Sequence, residues 1–166
     1  MLAAEPRSSE RGPVARAIRA ALAVFVLDGL YVVLVFVLIL RRTTVERLFQ
    51  GIAFAVLGPA AFTGGWAAAS LGLLLHFSVA LAWSVVWMIA YERSDLFLRA
   101  TITAPRAAVV GAAYGIFVWL AMHFVVLPLT YAKPGPLLGF GSLLVAVAHL
   151  LVVGPPIVLI ERSRDG

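Results

Sequence analysis

Four ionisable side chains stand inside apolar runs of this chain: Asp28 in AVFVLDGLYVVLVF, His76 in LGLLLHF, His123 in LAMHFVV and His149 in VAHLLVV. A carboxyl and three imidazoles in hydrocarbon surroundings can exchange protons, hold a polar ligand or bind a metal, and each is costly to bury unpaired. A carboxylate at the centre of a membrane helix costs about 2.5–3.5 kcal/mol, whereas each Leu, Ile, Val or Phe returns about 0.3–0.6 kcal/mol. The run 20–40 holds fifteen of those apolar residues. Insertion therefore wins despite Asp28, and its purpose has to be read from what shares its depth.

Counted from the same end of the apolar runs, Asp28 lies 12 residues from Leu40 and His149 lies 12 residues from Leu137, about 18 Å in and close to a bilayer midplane. This equal depth pairs Asp28 with His149. His76 lies 5 residues from Leu71 and His123 lies 6 residues from Leu129, about 8–9 Å in. Those two share a second level, where they suit a haem or a metal with Met122 nearby. The plainer alternatives are a neutral Asp28 carboxyl bonded to a helix backbone or to Tyr31, and histidines that serve as packing. His76 and His149 have Gly72, Ala80 and Ser84, and Ser142 and Ala146, near their own faces, which turns them toward neighbouring helices.

The elements that must position these groups are long apolar runs. Spans are expected at about 20–40, 71–91, 107–129 and 137–160, each long enough for a hydrocarbon core about 30 Å thick. Residues 1–19 read as a flexible tail and 161–166 as a second one. VERLFQGIAFAVL, 45–57, sets Val45, Leu48, Phe49, Ile52 and Val56 on one stripe opposite Glu46, Arg47 and Gln50, the pattern of an amphipathic helix lying in the interface. GPAAFTGG then turns the chain inward. A fifth span over 45–62 is the competing reading, and it would have to carry Glu46, Arg47, Gln50 and Pro59. Thr103 and Pro105 mark a helix start, Pro155-Pro156 a kink near the end of the last span, and Gly111-x-x-x-Gly115 a site of close helix packing. Trp66, Trp83, Trp87 and Trp119 read as packing and interface anchors.

Composition agrees: 63% of the 166 residues are hydrophobic and 13% charged, with a mean hydropathy of +1.03, outside the range of soluble domains. The fold class is an all-α integral membrane protein, a four-helix bundle with one interfacial helix. The net charge of +5 is no nucleic-acid signal, because the basic residues flank the apolar runs. With four spans nine of them fall on the side of both termini and four on the other, which places both termini in the cytoplasm. Twelve of the thirteen basic residues are Arg and Ala, Val and Leu dominate, a bias that fits a GC-rich bacterial genome. Cysteine and asparagine are absent, which removes disulfides, thiolate chemistry and N-glycosylation. No phosphate loop, HExxH, nucleophile elbow or clustered carboxylate pair occurs, so the reading leans away from an enzyme.

AFTGG, LGLLLHF, YGIFVWLAMHFVVLPLT and HLLVVGPPIVLIER, in that order, resemble a family of small uncharacterised four-helix bacterial inner-membrane proteins and, more loosely, the YagU-like proteins. The likeness rests on His76, on Met122 to Pro128 and on His149 before Gly154-Pro155. It implies a fold and a location, without an activity. That family often carries Asn where this chain has His123.

Three functions remain open. The first is a buried polar site of Asp28, His149 and His76 serving small-solute or proton-linked transport; four spans without an internal repeat make a thin transporter, which implies a homo-oligomer. The second is a non-catalytic scaffold or assembly subunit, and the third a redox protein with His76 and His123 as ligands. No motif demands a cofactor, haem and metal staying open, and the partner implied by every reading is the lipid bilayer.

Overall fold

The structure is a computed structural model that describes residues 12–162; of the expected tails 1–19 and 161–166, residues 1–11 and 163–166 lie outside the described residues. Every element is helical, with no strand among the described residues. The long elements are α1 (Pro13–Ile39), α2 (Val45–Leu57), α3 (Gly65–Arg93), α5 (Ala104–Leu129) and α6 (Phe140–Glu161), with a short α4 (Asp95–Ala100) between α3 and α5. α2 continues into a 3₁₀ turn, Gly58–Phe62. Counted with that turn, five helices are long and apolar enough to cross a membrane by length and composition.

Both ends of several helices differ from expectation. α1 begins at Pro13, whose fixed φ and missing N–H suit the first helical turn, so residues 13–19 are helix and not tail. α3 begins at Gly65, six residues before Leu71, because the small residues of WAAAS continue the helix even though they contribute little hydropathy. Glu161 closes α6 instead of opening a tail. Thr103 accepts the Arg106 N–H at 3.4 Å and Pro105 follows it, as their types indicate.

At one end of the bundle stand the start of α1 and the ends of α3 and α6; at the other stand the end of α1, the start of α3 and the start of α6. α2 is tied to this second end by two hydrogen bonds. The Gln50 side-chain amide donates to the Gly65 carbonyl at 3.1 Å, while the Tyr131 N–H donates to the Ala55 carbonyl at 3.1 Å. Gly58 takes φ +55°, a value that favours glycine, and packs against the Tyr131 ring. The chain therefore bends there, and the straight part of α2, 13 residues, is about 20 Å long.

Backbone contact holds the rest. A Cβ on Gly115 would strike the His149 carbonyl, and one on Gly111 would strike Pro155, so the Gly111-x-x-x-Gly115 stripe is occupied by α6 of the same chain. Gly72 meets α2 in the same way at Phe49. Two tyrosines bond helix to helix: Tyr31 donates to the Leu144 carbonyl at 2.9 Å, and Tyr114 to the Trp83 carbonyl at 2.7 Å. Turns of the wider π type occupy Val33–Ile39, Met122–Val126 and His149–Val153. The last two each precede a proline, Pro128 or Pro155, which cannot donate a backbone hydrogen bond to the turn before it.

Candidate functional site

Asp28 projects from the middle of α1 and His76 from α3, and the carboxylate Oδ2 lies 3.6 Å from His76 Nε2. Gly29, next in the chain, faces the same imidazole, and a Cβ there would sit in ordinary contact with Nε2 at 4.0 Å. Phe25 packs its ring 5.5 Å from the His76 ring, fixing the imidazole from a second side. At 3.6 Å the two groups are in ion-pair range but beyond a hydrogen bond. Asp28 Oδ1 and His76 Nε2 are both buried without a hydrogen-bond partner.

The partner of Asp28 is therefore His76, not the His149 that equal depth selected. The reason is the start of α3. Measured from Gly65 and not Leu71, His76 is eleven residues in, about 17 Å, level with Asp28. No hydrogen bond or ion pair joins Asp28 to His149 among the described residues. His149 instead places Nδ1 2.9 Å from the Val145 carbonyl one turn earlier in α6.

All three groups nevertheless line one cavity of about 430 Å³. Its wall comes from α1, α3, α5 and α6, and α2 contributes Gly51, Ile52, Ala55 and Val56 at the second end of the bundle. The remaining wall is mostly aliphatic, with Trp83 and Met122 among its residues; Trp83 donates to the Met122 sulfur at 3.5 Å. A second, more open crevice of about 510 Å³ lies between the end of α5, the 132–136 loop and α6. His149 and Met122 line both cavities and so form part of the wall between them.

His123 faces the crevice and not the cavity of His76. It is buried beside Trp119 and Phe124. The matched pair His76 and His123 is thus not assembled, and among the described residues no group of three or more His, Asp or Glu side chains could hold a metal ion.

Comparison with known proteins finds no matching family model, curated protein or solved structure. The chemistry of the site rests on its own geometry.

A second polar cluster, which the sequence reading did not anticipate, closes the opposite end. Arg16 of α1 donates through Nε to Glu161 of α6 at 3.2 Å and through Nη2 to Glu92 of α3 at 2.6 Å. Glu161 is fully buried and Arg16 is 7% exposed. The available signal was an acidic residue directly after an apolar run, Glu92 after Tyr91 and Glu161 after Ile160, facing basic residues just before the first run.

Proposed function

We propose that this protein is a membrane-embedded ligand-binding bundle acting in proton-linked transport of a small solute, with Asp28 and His76 as the proton-exchanging pair and His149 at the wall of the same cavity. The observation that carries the reading is the 3.6 Å approach of Asp28 to His76 on a mostly apolar cavity near the middle of the bundle. Two titratable groups that close, with unused hydrogen-bonding positions, can hand a proton between them or release it when a ligand takes one partner.

On this reading α1, α3, α5 and α6 are the four spans, and α2 lies in the outer interface over the cavity. The support is that Gln50 and Ala55, both within α2, bond at one end of the bundle, and that the straight part of α2 falls short of a bilayer core. Arg16, Arg93, Arg106 and Arg162 gather at the opposite end, which fits both termini in the cytoplasm of a bacterial cell. The unit that works is a homo-oligomer, since four spans enclose little transport path alone.

The test is electrical. Proteoliposomes adsorbed on a solid-supported membrane are challenged in turn with amines, amino acids, weak acids and sugars. One class should evoke a transient current in the wild type that Asp28→Asn abolishes. A folded wild type that stays silent to every class, or a current unchanged by Asp28→Asn, refutes the reading.

A further inference from the structure

The walls of the cavity narrow the chemistry of its occupant. Among its lining residues Asp28 is the one Asp or Glu, and no Arg or Lys is present. An anionic solute would meet a carboxylate with no fixed cation to balance it. A strongly hydrated ion would lose its water shell to an aliphatic wall offering few polar partners. A metal ion would lack a ligand set, as described above. What remains complementary is one positive, hydrogen-bond-donating group on an apolar body.

The details of the wall suit such a body. Asp28 is 9% exposed and its Oδ1 is without a hydrogen-bond partner, so an N–H donor finds an unused acceptor and gains a charge-assisted bond. Trp83 adds an aromatic side chain to the wall, and aromatic rings attract cations. Val24, Leu75, Val79, Val118 and Ile157 supply the hydrocarbon wall. The volume of about 430 Å³ belongs to the small-molecule range.

We infer that the cavity takes a lipophilic organic monocation, an amine with a compact apolar body, and that Asp28 is its counter-ion. The inference rests on the reading of this cavity as the ligand site and names the class of solute it receives. His76 is the group that the ammonium displaces from the carboxylate.

The experiment uses the purified full chain in lipid nanodiscs and equilibrium dialysis, with binding to empty nanodiscs subtracted. Three probes of one shape are compared: N,N-dimethyl-2-phenylethylamine, its neutral carbon isostere 3-methylbutylbenzene, and the anion 3-phenylpropanoate. The amine should bind saturably at one site per chain, at least tenfold more tightly than the isostere, and the anion should not bind. Asp28→Asn should lower amine affinity at least tenfold and leave the isostere unchanged. An isostere that binds the wild type as tightly as the amine overturns the cation inference and leaves the cavity reading standing. Absence of saturable binding by all three probes overturns both. The comparison within the wild type decides the matter even if Asp28→Asn fails to fold.

Discussion

Removing one carboxylate at the Arg16 end of the bundle should unfold the protein more readily than removing the whole pair. In Glu161→Leu, the Arg16 guanidinium loses its 3.2 Å bond to a side chain that is fully buried, and keeps the 2.6 Å bond to Glu92. Stripping one partner from a buried pair costs about 3–5 kcal/mol, because the remaining charge stays out of water without full compensation. The retained Glu92 bond sets the expected loss near the lower limit, about 3 kcal/mol. At about 2–4 °C per kcal/mol for a chain of this size, the midpoint of thermal unfolding should fall by about 6–12 °C. The assay is heating in detergent followed by size-exclusion chromatography of what remains folded. The double variant Arg16→Met with Glu161→Leu removes both buried charges and fills the space with hydrocarbon, a change that is often neutral or stabilising. Glu92, with 30% of its side chain exposed, can be hydrated when Arg16 is gone. The double variant should therefore melt above Glu161→Leu alone. Losses that simply add would show that the two side chains do not act as a pair and would refute the reasoning.

Cysteines placed at Arg47, in the first turn of α2, and at Ala60, just past its end, both exposed, should react with an impermeant reagent from the same side of the membrane; labelling from opposite sides would make this segment a fifth span. Gly115→Ala drives a methyl group into the His149 carbonyl and should lower the melting midpoint by about 2–12 °C, equivalent to about 1–3 kcal/mol of overpacking; unchanged melting would mean that α5 and α6 are not in backbone contact. Asp28→Asn and His76→Gln should show coupled effects on stability, with an interaction of about 0.5–3 kcal/mol in a double-mutant cycle, whereas Asp28→Asn and His149→Gln should be close to additive.

The sequence made some of this legible and hid the rest for identifiable reasons. Long apolar runs and isolated ionisable residues are strong signals, so the helices and three of the cavity's polar groups, Asp28, His76 and His149, could be picked out in advance. Pairing needs depth to within a turn. Hydropathy places the start of α3 at Leu71, while the helix begins at Gly65, and that error moved His76 to the wrong level and gave Asp28 the wrong partner. The same weakness hid Arg16. Two arginines within residues 13–19 lower hydropathy enough to suggest a tail, yet a helix need not stop where its apolar character does. The Arg16 contacts also depend on rotation about the helix axis, which sets whether a charge at a helix end turns inward or out, and a run without strong amphipathicity does not encode it. The π turns were equally out of view: Pro155 signals a kink, without saying that a widened turn at His149–Val153 would absorb it.

The Arg16–Glu161 bond spans 145 residues of sequence, and that separation has a consequence for biogenesis. At about 5–20 residues per second of synthesis, Arg16 waits about 7–30 s for its carboxylate partner in the last helix. During that interval the guanidinium can bond to Glu92 of α3, and the side that Glu161 covers in the finished protein stays open to water. Enclosure of Arg16 thus reports that the final helix has arrived. A chain halted before residue 161 leaves Arg16 open on the side where α6 packs, a difference that machinery sorting complete from incomplete chains can sense without reading anything else about the fold.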